Sequence, residues 1–528
     1  MRNSFFLVIP EQQSGQEFLA PYKKEAVNQW VAELPAANPS LSTRLFYDFI
    51  EGLNRAEMPA QQRLEILEIL RPSFLAIEDY LRSRLISSGF PKGENERKIF
   101  SLLVALERNF TIGYWAVIRE LSRRDVGWFQ GKNIALAIQR TIKGLSEVVV
   151  THYMIFASVP DWVWIDLHSL YKLSVKTKKE TTKVVDSTYG SIKSIAIEDC
   201  YKQVLLLSLT DPSGLMQKEI MLVYKFIGSI CHSIHIEDAL VDTQKVQCLI
   251  LMDEDVQPYF DGGDNQADSS RMYLNLLKLY KTLQAVDKFS SKEEARFSSM
   301  HVLKNSSEKK LPAALFEYVQ LCWHGVECRG GALFQDRLDR QIAIGLDATH
   351  ALQSNLSERP DDVQLESLAE SFSDRELSCH FGKEGVLSIG SMVSYRKANE
   401  PENKRVLGIV KKIIMPRQGD NIIFAISAIT SVSYAVSYVN LDAEKDSDKH
   451  KALLYGVKDE RGERTFLIVD SFMHKNEDGM RLFMSDNNFP IVLGCRKNIG
   501  LGYWQFECRR IEEKQVAQVM KKKGYDFI

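Results

Sequence analysis

The chain has 528 residues, enough for two to four domains of ordinary size. Hydrophobic residues make up 45% and charged residues 26%, the proportions of a folded globular protein. With 67 basic and 69 acidic residues the net charge is −2, so no global field draws the chain to nucleic acid or to an anionic membrane, and any anion site must be local. No apolar run reaches the ~18 residues that a bilayer span needs. The apolar stretch at 5–10 is too short for a signal core and is read as mature protein. Eight scattered cysteines without a CxxC fit free thiols in a reducing cytoplasm better than a disulfide framework or a zinc cage.

Residues 12–34 and 40–54 carry helical periodicity, with Leu41, Leu45, Phe49 and Leu53 recurring on one face. The pattern continues from Met58 to Leu70, and Pro72 is placed as the first residue of a new helix over 73–88. A loop at 89–95 precedes long helices at 95–125, 131–157 and 161–177. A further pair, 192–208 and 215–233, is joined by the turn Thr210 to Gly214. The expectation is an all-helical array over 1–240. A mixed, mainly helical connector comes next over 241–323, with a strand or short helix at 246–256, a helix at 271–288, a linker at 290–310 and a helix at 311–323. From 386 onward, β-prone runs separated by turns recur every ten to twelve residues, from Val386–Arg396 to Tyr503–Arg510. Such runs imply one closed antiparallel barrel or two small ones in tandem, within a β-region over 324–512. The segment 353–378, acidic and serine-rich, is expected to be mobile or to form one short helix. A basic tail, 513–528, ends the chain. The fold class is therefore α+β and multidomain.

No P-loop, dinucleotide fingerprint, HExxH or GxSxG is present, so catalysis by a nameable motif is excluded and the chain reads as non-enzymatic. His350 and His380 are the first candidates for a site built from scattered residues. Cys231, His232 and His235 read as a structural helix end, and the carboxylates of 253–268 as a solvated loop without EF-hand spacing. The most informative cluster is Arg329, Arg337 and Arg340, on a loop entering the β-region. A guanidinium can bond phosphate bidentately, stack on a purine face and pair with guanine O6 and N7. The interleaved Asp336 and Asp339 offer the opposite reading, a self-neutralised linker.

Several stretches resemble a proteobacterial family that joins a long helical N-terminal region to a PilZ-type β-barrel: QVLLLSLTDPSGLMQKEIMLVYKFI at 203–227, SVPDWVWIDLHSLYKLS at 158–174, IAIGLDATHAL at 342–352, EGVLSIGSMVSYR with RVLGIVKKI at 384–413, and segments of 451–512. The resemblance implies a cytoplasmic receptor for cyclic di-GMP, with an RxxxR element before the barrel and a [D/N]xSxxG element on its first strands. Here the first element reads Arg337-Leu338-Asp339-Arg340, an RxxR spacing. The second aligns as His380 to Gly385 and keeps only its closing glycine. The resemblance thus implies ligand contacts at Arg329, Arg337, Arg340, His380 and Gly385, no metal or cofactor besides cyclic di-GMP, and a protein partner on the helical region. Each guanine-edge bond missing from the degenerate motif costs ~1–3 kcal/mol. The alternative is a ligand-independent scaffold with an inert barrel.

Overall fold

A computed structural model describes residues 5–123, 131–185, 194–240, 246–261, 270–291, 310–328, 332–354, 365–442, 448–460 and 462–515. Arg329, the acidic loop from 262 onward, much of the segments 290–310 and 353–378, and most of the basic tail lie outside these residues.

The helical region comprises α1 (Gln16–Leu19), α2 (Lys24–Glu33), α3 (Pro39–Arg55), α4 (Ala60–Leu85), α5 (Glu94–Arg123), α6 (Gly131–Met154), α7 (Val163–Lys176), α8 (Ile197–Ser208) and α9 (Gln217–Ile230). Local chemistry marks several starts. The Asn38 side chain accepts from Leu41 N at 3.1 Å, with Pro39 at the first helical position of α3. Glu219 closes the start of α9 by accepting from Met216 N at 2.7 Å. The axis of the array is α6, buried on nearly every side and packed against α5, α7, α8 and α9.

Three sequence expectations are overturned in this half of the chain. The break at Pro72 does not occur, because α4 runs through it. Proline removes one helical hydrogen bond, at a cost of about 3 kcal/mol. Leu67, Leu70, Phe74 and Ile77, on both sides of it, are all buried, and each contributes about 1.5–3 kcal/mol. Packing therefore outweighs the local defect. The helical half also contains a β-hairpin, β1 (Lys183–Val185) with β2 (Ser194–Ala196). The helix expected from 271 begins instead as a strand. β3 (His235–Glu237), β4 (Gln247–Leu251), β5 (Tyr259–Asp261) and β6 (Arg271–Asn275) form a sheet in the order β3-β6-β4-β5. Helical structure resumes only at α10 (Leu277–Leu283) and α11 (Val286–Phe289). β7 (Ser290–Ser291) then pairs in parallel with β8 (Leu311–Pro312), which leads into α12 (Ala313–Trp323).

Two closed six-stranded antiparallel barrels complete the molecule, confirming the α+β class and the tandem option. The first is ordered β10-β11-β14-β13-β12-β9, from β9 (Arg340–Ile344), β10 (Ser367–Ser371), β11 (Glu376–Cys379), β12 (Met392–Lys397), β13 (Val406–Ile414) and β14 (Ile422–Thr430). The helix α13 (Leu346–Gln353) lies between β9 and β10 in the chain. β10 and β11 fall in and beside the segment expected to be mobile, which is the fourth correction. Their carboxylates and serines alternate with buried Ala369, Leu377 and Cys379, and closure of the barrel supplies ladder partners on both sides. The second barrel is ordered β15-β16-β17-β20-β19-β18, from β15 (Tyr434–Asn440), β16 (His450–Asp459), β17 (Gly462–Val469), β18 (Gly479–Met484), β19 (Asn487–Gly500) and β20 (Tyr503–Arg510).

One apolar core runs from the helices into the first barrel, and the second barrel has its own. The helices and the first barrel are also stitched through backbone. Phe90 N donates to Leu387 O at 2.7 Å, Leu387 N to Phe90 O at 2.8 Å, and Met415 N to Phe156 O at 2.9 Å. Between the barrels lies a separate apolar cluster, with Leu346, Met392, Leu407 and Ile409 facing Leu453, Tyr455, Phe466 and Ile468. Among the described residues, no helix is long and apolar enough to cross a membrane.

Candidate functional site

The arginine element sits where the chain enters the first barrel. Buried Phe334 anchors the approach, packing edge-on against Tyr395 with ring centroids 5.5 Å apart. Leu333 N and Phe334 N both donate to Asp374 O, in the turn between β10 and β11. A tight turn comes next, closed by Arg337 N on Phe334 O at 2.9 Å, in which Arg337 adopts a φ of +51°. This left-handed conformation costs a non-glycine residue about 1 kcal/mol or more. The residue held there is exposed, and its guanidinium makes no ion pair among the described residues.

Arg340 is placed differently. It opens β9, is buried, and lies over the Phe334 ring at 5.7 Å from its centroid. Its guanidinium bonds Asp336 Oδ1 at 2.5 Å and Leu338 O at 2.6 Å. Lys397 Nζ meets the other Asp336 oxygen at 2.9 Å. Hydrogen bonds from Arg340, then from Lys397, hold the Asp336 carboxyl well below the ordinary carboxylate range. Arg340 is thus engaged by its own loop in this conformation.

Beside it is a cluster that the sequence pattern does not reveal. Glu366, at the entrance to β10, receives Arg396 Nη2 at 2.6 Å and also binds the fully buried Arg405. Arg405 further donates to Ser394 Oγ at 2.8 Å and Ser394 O at 3.0 Å. Burial pushes the Glu366 carboxyl up, but the hydrogen bonds and charges of the two arginines hold it below its usual value. The three residues span forty positions of chain, and only the closure of β12 and β13 onto β9 and β10 brings them together. The available signal was weak: Arg396 and Arg405 stand at the ends of β-prone runs.

The register relates the two predicted elements. Arg340 opposes Ala369, which opposes Cys379, so Arg340 and the end of β11 lie two strand spacings apart, roughly 10 Å. β9 and β11 run in the same direction, so the chain before Arg340 and the chain after Cys379 leave that level toward opposite ends of the barrel. Arg337 and the segment 380–385 therefore diverge. His380 is exposed, and Gly385, at φ +72°, donates its N–H to Pro91 O at 2.9 Å in the loop before α5. The glycine-closed segment is docked on the helical region. His350 is likewise tied between domains, with Nε2 3.0 Å from Val436 O and Nδ1 3.2 Å from Ser354 Oγ.

Two large clefts lie elsewhere. One, of about 890 Å³, separates α12 from the first barrel and is bordered by Cys328, Arg375, Lys411 and Lys412. The other, of about 810 Å³, lies among α4, α6, α9 and β1 and is bordered by Arg71, Lys132, Arg140, Lys183 and Lys225. Arg337, Arg340, His380 and Gly385 border neither. Beneath the second cleft is a buried ionic cluster. Arg82 Nη2 meets Glu78 at 3.0 Å, Glu107 at 3.0 Å and Glu147 at 2.7 Å. Burial, opposed by Arg82, raises the Glu107 carboxyl to about 7. Among the described residues no group of His, Cys, Asp and Glu is arranged to hold a metal ion. The acidic loop has a structural use: Asp255 caps α7 by accepting from Ile165 N at 3.0 Å and from Trp162 N.

Residues 25–241 match the family model described as the N-terminal domain of the cyclic-di-GMP receptor FimW. A curated relative, the cyclic-di-GMP receptor FimW of Pseudomonas aeruginosa, is 27% identical over 194 residues, which make up 37% of this chain and 32% of the relative. The chain thus spans about a third of the length of the curated relative it matches. Among solved structures, MrkH, described as a c-di-GMP-dependent transcription regulatory factor, aligns over 36% of this chain and 84% of its own at 7% identity. Its TM-score is 0.14, a likeness that carries no argument. The family match, residues 25–241, thus falls on the helical region, which is similar to the N-terminal domain of a cyclic-di-GMP receptor.

Proposed function

We propose that this protein is a non-enzymatic cytoplasmic regulator that binds cyclic di-GMP and passes the signal to a protein partner docked on its helices. The observation that carries the reading is the match of residues 25–241 to a domain found in a receptor for this ligand. At residue level the first barrel is read as PilZ-like, with Arg337 as the primary contact. Its exposed guanidinium is held out by a strained turn, where glycine would be the unstrained choice. Arg340 joins only when a ligand phosphate displaces Asp336, an exchange of one charge-assisted bond for another. Arg329 is a further proposed contact, outside the described residues, and His380 and Gly385 couple the barrel to the loop at 89–93.

Calorimetry with the full chain and cyclic di-GMP tests this. Binding that is lost in Arg337→Gly and weakened in Arg340→Ala supports the reading. Binding unchanged in both moves the site elsewhere while leaving the receptor reading intact, and absence of heat at high micromolar ligand removes the receptor reading.

A second reading, a ligand-independent interaction scaffold, is favoured by a specific observation: Arg340, Lys397, Arg396 and Arg405 are each already paired with a carboxylate, Asp336 or Glu366. A stable partner retained with and without nucleotide supports it.

A further inference from the structure

The helix α12 ends in a way that folds the chain back on itself. Gly325 takes the left-handed conformation at φ +72°, Gly325 N donates to Cys322 O at 3.0 Å, and Val326 N reaches back to Leu321 O at 3.1 Å. This paired arrangement is the Schellman closure, in which a glycine just past the last turn reverses the backbone. Its result is specific. Cys328, six positions beyond Cys322, returns so that the two sulfurs stand 3.7 Å apart. Cys322 is 5% exposed and packed in the last turn of the helix, whereas Cys328 is partly open to solvent on the wall of the cleft between α12 and the first barrel.

We propose that Cys322 and Cys328 are a reversible thiol-oxidation site that forms an intrachain disulfide under peroxide. A disulfide needs sulfurs about 2.0 Å apart, and the helix-end reversal already brings these two to 3.7 Å. The two thiols divide the labour by exposure. The accessible Cys328 thiolate attacks the peroxide oxygen, forming a sulfenic acid and releasing hydroxide. The Cys322 sulfur then attacks the Cys328 sulfur, forming the S–S bond and expelling water. In sum, two thiols and one hydrogen peroxide give one disulfide and two waters, with each sulfur losing one electron and the peroxide gaining two. Burial raises the Cys322 thiol above its ordinary range, so Cys322 is not the sulfur that meets the oxidant, and its part is set by its proximity to Cys328. A thiol reductant reverses the bond by exchange.

The bond has a structural consequence. It pins the segment leaving α12 against the helix end, on the wall opposite Lys411, Lys412 and Arg375 of the barrel. The chain from there to Leu333 and Phe334 is the entry to the Arg337 turn, so the site lies directly upstream of the proposed ligand contacts without depending on them.

The test is peptide mapping of the full chain after hydrogen peroxide, with and without dithiothreitol. The expected product is a species two hydrogens lighter, with its link between positions 322 and 328, that reverts on reduction. In Cys322→Ser, Cys328 stops at a sulfenic acid trapped by dimedone. Should that variant misfold because position 322 is buried, Cys328→Ser decides instead, since Cys322 then remains a thiol under the same treatment. Peroxide that leaves both thiols free, carries Cys328 straight to sulfinic acid, or links either residue to another cysteine overturns the proposal. None of these outcomes touches the cyclic di-GMP reading, which the calorimetry judges separately.

Discussion

The two barrels have the same number of strands and the same closed antiparallel design, yet they stand in different relations to the rest of the molecule. The first has no separate core. Its interior residues, among them Ile342, Leu377, Val393 and Phe424, belong to the apolar cluster that runs through the helices, and backbone hydrogen bonds from Leu387, Gly385 and Met415 tie it to the loops around Phe90 and Phe156. The second encloses its own core of Val436, Leu467, Leu482, Leu493 and Phe506 and meets the first through a compact apolar face. The first barrel is thus part of the helical body, and the second is an appended module. A perturbation in the first barrel should be felt in the helices, whereas one in the second should stay local.

The largest effect should come from removing the buried charge of the first barrel. Arg405→Ala empties a fully buried position and leaves the partly exposed Glu366 with one of its two arginines gone, and loss of a partner from a buried pair costs about 3–5 kcal/mol. Chemical denaturation followed by helical circular dichroism should show the loss. A change confined to probes in the barrel would break the single-body picture. Next is Leu482→Ala, which opens a cavity in the core of the second barrel at about 2–5 kcal/mol. Hydrogen exchange should rise in β15–β20 while the helices keep their protection, and loss of protection in α6 would show that the two units are one.

The third prediction concerns pH and belongs to the helical body alone. His168 is buried between Tyr201 Oη at 2.7 Å and Val256 O at 3.0 Å, and burial lowers its pKa to about 4. The unfolded chain, with an ordinary histidine near 6.5, binds more protons between these values. This stabilising contribution is therefore complete above pH 6.5 and is lost as pH falls toward 4, by at most roughly 3 kcal/mol. His168→Gln should flatten the slope of helical stability over that window and leave the unfolding of the second barrel unchanged. The smallest effect is expected at Arg337. Arg337→Gly relieves the strained turn and should raise stability by up to about 1 kcal/mol, seen as a slightly higher denaturation midpoint. A loss of stability there would mean that the guanidinium has a structural partner.

Much of the architecture could be read from the chain because its periodicities are long. α5 and α6 carry a helical pattern over many turns, and the recurring β-prone runs after 386 announced the second barrel and half of the first. Legibility failed where a short element depends on a distant neighbour. β10 and β11 read as a polar, mobile segment because only one side of each strand is apolar. Pro72 read as a helix start because the local rule ignores Leu70 and Phe74. The candidate site divides the same way. Arg337 and Arg340 stood out as a cationic pair, but their opposite situations, one strained and exposed, the other buried on Asp336, arise from a turn geometry that composition does not report. Glu366, Arg396 and Arg405 were invisible as a cluster.

By itself the sequence determined the features that local pattern and bulk charge control: a helical half, a β-rich third, near neutrality, and a short loop carrying closely spaced arginines. The tertiary structure alone decided which cations are spoken for and which sulfurs meet. Ion pairing in a barrel depends on which strands become neighbours, and the reversal after α12 depends on a helix ending at one residue. Both are consequences of closing the chain in space, where residues far apart along the backbone come within reach and a three-residue offset changes partner.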